Sequence, residues 1–256
     1  MSVQFLNVYE RRARLVPGVL AIVPVIVLFA ALGLRQIPVV SYVLGLLAVA
    51  GVGPVLIVGA VRNFGKAVEQ RLWESWGGPP TTVWLRLNAP TKSAAQRESW
   101  RKAVEAVSGI SLLSLEVERQ DAAGADDAIE RATERVRKKT RDNEKFELLF
   151  FENRHYGYER NIYGIRWAAR SISLLSLLAL ATYTLWVAPL VDRPQVSAAN
   201  VVGLALCLGC LFGWFILPSK KRVKDAADRY ANELLHAAVT LQEEAEAPDR
   251  NASAAP

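Results

Sequence analysis

Leu15–Leu34, LVPGVLAIVPVIVLFAALGL, contains no Asp, Glu, Lys or Arg, and Ser171–Val191, SISLLSLLALATYTLWVAPLV, repeats that pattern later in the chain. Each is followed by a second charge-free run, Gln36–Val61 after the first and Pro194–Pro218 after the other. A helix needs about 20 apolar residues to cross a hydrocarbon core of about 30 Å, so all four runs are long enough to span. Soluble cores rarely supply four runs of that length, and length separates the two readings. The expected fold is mainly α: a polytopic membrane protein with four transmembrane helices in two hairpins and an inserted cytoplasmic α or α+β domain.

The flanking charges give the orientation. Arg11, Arg12 and Arg14 precede the first run, and Arg62, Lys66 and Arg71 follow the second. Arg160, Arg166 and Arg170 lead into the third, and Lys220, Lys221, Arg222 and Lys224 follow the fourth. The hairpin tips hold only Arg35 and the Asp192/Arg193 pair. Lys and Arg near span ends mark the cytoplasmic side, so both termini and the middle segment are expected there. The organisation expected is 1–61 as N-terminal segment and first hairpin, 62–170 as cytoplasmic domain, 171–218 as second hairpin, and 219–256 as amphipathic helix and disordered tail. Trp167, Trp186 and Trp214 fall near span ends, where indoles anchor at the interface.

An apolar share of 52% averages two kinds of segment, and much of the net charge of +6 is the positive excess beside the spans. Cys207 and Cys210 form a C-x-x-C inside the fourth run, without a nearby His or carboxylate, so they read as packing residues. The first run lacks an A-x-A-like cleavage site and is too long for a signal core, so no cleavable signal peptide is expected. Pro17, Pro24 and Pro54 lie inside spans, where neighbours must re-satisfy the carbonyls they free. Gly209 and Gly213 give a G-x-x-x-G suited to helix packing within or between subunits.

No ionisable residue lies deep in any span, which argues against a secondary transporter. A channel remains open, because pores can be lined by small or hydroxylic residues. Ser173, Ser176 and Thr184 fall near one helical face and are the pore-lining candidates. The plainer reading is hydroxyl bonding to the helix's own backbone.

Between the hairpins, Asn63–Ser75 continues helically, and Trp76–Thr82, WGGPPTT, is a turn. Val83–Leu87 reads as a short strand or helix start, Ala94–Val107 and Ala125–Asp142 as helices. Phe146–Phe151 is bulky and apolar, fitting a helix extension or a strand, and His155 falls in a polar loop leading to the third span. Ser219–Glu244 is an amphipathic helix whose stripe of Val223, Ala226, Ala227, Tyr230, Leu234, Ala238 and Leu241 must pack on the cytoplasmic domain or on another subunit.

Enzyme motifs are missing: no G-K-[ST] follows Gly77-Gly78, and neither H-E-x-x-H nor G-x-S-x-G occurs. No catalytic residue, metal site or cofactor is expected. One band stands out. Arg135, Arg137, Lys138, Lys139, Arg141 and Lys145 are followed by Tyr156, Tyr158, Arg160 and Asn161. Cations that neutralise phosphates beside rings that stack on bases suit a nucleic-acid strand or nucleotide. A solvated helix face near anionic lipid headgroups is the competing reading, and Glu130, Glu134, Asp142 and Glu144 supply ion-pair partners that weaken the ligand reading.

Tyr9-Glu-Arg-Arg-Ala-Arg-Leu-Val-Pro, Trp76–Thr82, Thr140-Arg141-Asp142 and Glu152-Asn153-Arg154-His155-Tyr156-Gly157-Tyr158-Glu159-Arg160-Asn161 together resemble a family of bacterial proteins. Its members carry W-G-G-x-P-T-T, T-R-D and E-N-x-x-Y-G-[FY]-x-R-N motifs between two membrane hairpins. The match covers residues 9 to about 166. The family is similar to membrane effectors of phage defence, most closely the membrane component of Hailong. Pro79 stands where Lys or Arg is frequent, which puts any ligand contact there in question, and Tyr158 stands where Phe is usual. The resemblance implies a multi-pass protein of the bacterial inner membrane and an oligomeric channel; closed symmetry around a central axis suits a four-span subunit without buried charges, so a homo-oligomer, a tetramer, is expected. The resemblance also implies a nucleotidyltransferase partner whose short single-stranded DNA, or another nucleotide, holds the channel closed. The alternative is a membrane anchor or scaffold that recruits a soluble partner.

Overall fold

The computed structural model describes residues 7–33, 52–88, 91–187 and 197–253. Most of the second apolar run and both hairpin tips, with Arg35 and the Asp192/Arg193 pair, lie outside the described residues. Among the described residues every regular element is a helix, with no strand. The helices are α1 (Val8–Ala31), α2 (Val52–Trp76), α3 (Pro80–Leu85), α4 (Ala94–Ser108), α5 (Leu115–Gln120), α6 (Ala122–Lys139), α7 (Glu147–Val187), α8 (Ala198–Ile216) and α9 (Lys220–Ser253). Three of them, α1, α7 and α8, are long and apolar enough to cross a membrane.

Of the two segments that sequence left between strand and helix, Val83–Leu87 is helical up to Leu85 and Phe146–Phe151 is helical from Glu147, for local reasons. In the WGGPPTT turn, Gly77 and Gly78 take φ of 80° and 134°, a region that side-chain-bearing residues avoid. The Gly78 amide donates to the Trp73 carbonyl at 2.8 Å and closes α2. Pro80 then opens α3, where its missing N–H costs nothing. Further on, Asp142 Oδ1 accepts from the amides of Glu144 and Lys145. Helix α7 starts two residues later and runs unbroken into the third apolar run. His155 is therefore on a helix and not in a loop, stacked 6.4 Å from Phe151.

The chain divides into two compact units, one of residues 1–69 with 157–223 and one of residues 70–156 with 224–256. In the second unit the core joins Trp84 and Leu85 of α3, Trp100, Ala103 and Val104 of α4, Ile129, Ala132 and Val136 of α6, and Leu234, Leu235 and Ala238 of α9. The Trp84 and Trp100 rings stack at 5.7 Å. The stripe of α9 is thus covered by the helices of its own chain. Buried polar groups fix the connections between these helices. Arg101 donates to the Leu85 and Leu113 carbonyls at 2.7 and 2.6 Å, and burial lowers its pKa from the ordinary guanidinium range. Glu118, 1% exposed, accepts from the amides of Leu87 and Asn88 at 3.0 to 3.2 Å.

The first unit contains α1, α8 and the matching parts of α2 and α7. Its core gathers Ala21, Val61, Ile162, Ile165, Ala169 and Trp214. Trp214 is 6% exposed, so it packs inward, whereas Trp167 and Trp186 are 62% and 73% exposed. A Cβ on Gly164 would stand 2.8 Å from the Phe64 and Gly65 backbone, so α7 and α2 meet at backbone contact there. Proline chemistry accounts for another join. Pro17 has no N–H for the Ala13 carbonyl, α1 widens into a π-type turn over Arg11–Leu15, and Asn161 Nδ2 donates to that carbonyl at 2.6 Å.

Candidate anionic-ligand cleft

Helix α6 carries the basic run, and its own capping explains part of the composition. Asp121 Oδ1 accepts from the Gly124 amide at 2.8 Å at the start of α6. Arg137, Lys138 and Lys139 occupy its last turn, where cations complement the helix dipole. The apolar stripe of Ala125, Ala128, Ile129, Ala132 and Val136 is buried, so the basic side chains stay on the solvent side.

A cleft of about 320 Å³ lies beside this turn. Its lining draws Glu134, Arg137, Lys138, Thr140 and Arg141 from the α6 end, Leu149, Phe150 and Asn153 from α7, and Tyr230 from α9. Lys138 Nζ is 2.9 Å from Glu134, and this hydrogen bond holds the Glu134 carboxyl below its usual range. Both groups are well exposed, so water screens the pair. Thr140 Oγ1 donates to the Val136 carbonyl at 3.1 Å and ends α6. Three cations, an amide and two rings converge here, a set suited to a phosphate-bearing ligand with a planar group.

A second cleft of about 460 Å³ shares Glu134 and Arg137 and adds Trp73, Pro79, Thr82, Asp127, Glu130, Arg131 and Thr133. Its three carboxylates outnumber its two guanidiniums, which disfavours a polyanion. The turn bordering it is held by Arg86, which donates to Asp126 through Nε at 2.7 Å and to the Gly77 carbonyl at 2.8 Å. The hydrogen bond to Asp126 raises the Arg86 pKa above its ordinary value.

Of the residues singled out from sequence, the structure brings Arg137, Lys138 and Arg141 into one cleft. Arg135 instead donates to the Ser108 carbonyl at the end of α4, at 3.0 Å. Lys145 pairs with Glu244 of α9, and Lys139 is exposed. Tyr156 is buried and stacks on Tyr230 at 6.3 Å. Tyr158, Arg160 and Asn161 belong to the other unit. There Tyr158 packs against the core, Arg160 pairs with Glu69, and Asn161 is fully buried on Ala13. Two further motif carboxylates are also committed to α9: Glu159 pairs with Arg222 at 2.7 Å and Glu152 with Arg229 at 3.1 Å. The pore candidates Ser173, Ser176 and Thr184 are all buried. Ser173 and Thr184 donate to the carbonyls of Ala169 and Leu180, each at 2.8 Å, the bonding expected of hydroxyls inside an apolar helix. Tyr230 and Phe150 are cleft residues that sequence reasoning missed. Tyr230 sat in the α9 stripe, and only the packing of α9 beside α6 and α7 turns its ring to this use.

No protein-family model, curated protein or solved structure matches the chain.

Proposed function

We propose that this protein is an oligomeric inner-membrane channel, gated by an anionic nucleotide or short single-stranded DNA bound to its second unit, and that it serves anti-phage defence. The observation that carries the ligand part is the cleft of Arg137, Lys138, Arg141, Asn153, Phe150 and Tyr230. Phosphate contacts from cations give affinity, and rings stack on bases without sequence preference. Three apolar helices on the same chain support the membrane part. The motif resemblance supplies the defence role, a nucleotidyltransferase partner and a ligand that holds the channel closed. A ligand can do that only by binding the closed state more tightly than the open one.

A pore without buried charges is most simply built around a symmetry axis, and a tetramer is the expected state. Gly209 and Gly213 support assembly through α8, since a Cβ at either would meet nothing within 4 Å among the described residues. A G-x-x-x-G face that no described residue covers is the kind on which a second copy packs. The orientation proposed places both termini and the second unit in the cytoplasm, on the flanking Lys and Arg. Reporter fusions at Arg35 and Asp192 should report the outer side, and one near Lys102 the cytoplasm.

The deciding experiment is ion flux from liposomes holding the purified full chain. Flux that a short single-stranded DNA suppresses supports the reading. Absence of flux with and without DNA, from protein shown to be inserted, contradicts a channel and favours the anchor or scaffold.

A further inference from the structure

The geometry points to a binding site for an anionic phospholipid headgroup between α7 and α8, built by Arg166, Trp167 and Arg170 of α7 with Phe215 of α8. It rests on the chain lying in a bilayer and not on the gating reading. Arg170 is the last charged residue before the apolar run of α7. Its Nε donates to the Trp214 carbonyl of α8 at 3.1 Å, two residues before that helix ends. The charge-free parts of the two helices therefore stop at one level, where a headgroup layer meets hydrocarbon.

The guanidiniums at this level are held in place and, among the described residues, have no carboxylate partner. Arg170 lies 4.6 Å from the Trp167 ring and 4.4 Å from the Phe215 ring. Arg166 lies over the Tyr163 ring at 3.6 Å and donates to the Tyr163 carbonyl. Neither forms an ion pair with a described carboxylate, unlike Arg160 and Arg222 of the same unit. With Nε committed, both Nη groups of Arg170 keep their N–H donors for an outside acceptor, in the fork that fits two phosphate oxygens. Trp167 and Phe215, 62% and 57% exposed, flank the Arg170 guanidinium, Trp167 on the headgroup side and Phe215 with an apolar face for the acyl chains. Rings hold the guanidiniums in position, so little freedom is lost on binding. Basic sites between membrane helices on the cytoplasmic side take up lipid phosphates in this way.

The test uses the full chain in nanodiscs of equal phosphatidylcholine and phosphatidylglycerol, with retained lipid read by native mass spectrometry. Wild-type protein should retain phosphatidylglycerol in excess. Arg166→Gln with Arg170→Gln should cut that excess at least fivefold, while Lys220→Gln with Lys221→Gln should change it less than twofold. Soluble glycerol 3-phosphate should leave it intact, because the acyl chains help hold the lipid. A photoactivatable phosphatidylglycerol on the wild-type chain should label peptides containing Trp167 and Phe215, a readout independent of how the variants fold. Equal retention of both lipids, labelling elsewhere only, or displacement by the soluble phosphate overturns the site. A chain that does not enter the nanodisc overturns the membrane reading and this site together, whereas entry without enrichment overturns the site alone.

Discussion

The end of α6, dense in Arg and Lys, and the Glu152–Asn161 stretch of α7, dense in Arg, Tyr and Asn, both read as ligand surface in the sequence, yet they are built for different work. In α7, Asn153 lines the cleft, but four of the polar groups that follow or precede it face other helices. Glu152 meets Arg229, Glu159 meets Arg222, Arg160 meets Glu69, and Asn161 repairs the carbonyl that Pro17 leaves open. At the end of α6 the side chains of Arg137, Lys138 and Arg141 face solvent around a cleft. Residue type alone does not separate a clamp from a recognition surface. What separates them is whether the neighbouring helices already satisfy the charge.

That contrast gives a ranking of effects. Arg160→Ala should be the most damaging, since it removes the cation from a pair with Glu69 whose side chains are only 10% and 16% exposed. Breaking a buried pair from one side costs about 3–5 kcal/mol, which thermal unfolding of detergent-solubilised protein will show. An unchanged midpoint would remove the clamp from α7. Asn161→Ala should cost about 1–3 kcal/mol by the same measurement, because the Ala13 carbonyl loses its donor inside the unit.

Charge changes at the end of α6 should leave the fold alone. Lys138→Glu with Arg141→Glu should weaken binding of a short single-stranded DNA roughly 10- to 100-fold at low salt, with the unfolding midpoint unmoved. If the ligand holds the channel closed, the same variant should be toxic in cells without phage. Loss of binding without toxicity would mean that the ligand opens it. The smallest effect expected is a gain. Glu134→Gln frees Lys138 and removes a like charge from the ligand's side, for roughly two- to fivefold tighter binding. The sign with pH follows from the lowered Glu134 pKa. The carboxylate persists above that pKa, so binding should strengthen as pH falls through it, and Glu134→Gln should abolish that dependence. Equal pH profiles for the two proteins would show that Glu134 does not compete for Lys138.

The apolar runs were legible because charge-free length is a one-dimensional property, and α1, α7 and α8 carry it in the structure as well. The α4 and α6 helices were legible for a related reason: Trp100, Val104, Ile129, Ala132 and Val136 recur at helical spacing and all reach the core. The partner of the α9 stripe was not legible. Leu234 and Ala238 demand burial, but periodicity cannot say whether the cover comes from the same chain or another, and here it comes from the same chain. The roles of Tyr156, Arg160 and Asn161 were hidden for the same reason, since their partners are 74, 91 and 148 residues away. For Asn161 one signal was present. Pro17 announces a freed carbonyl inside an apolar helix, and a buried amide is the natural donor to look for.

The most direct test of the division between clamp and cleft is a salt series. Binding of a short single-stranded DNA is measured for the wild-type protein and for Lys138→Glu with Arg141→Glu, each with its unfolding midpoint. The expected result is weaker binding, a shallower dependence of log affinity on log salt in the variant, and one shared midpoint. The same affinity and slope in both proteins would contradict the assignment of the α6 cleft as the ligand site.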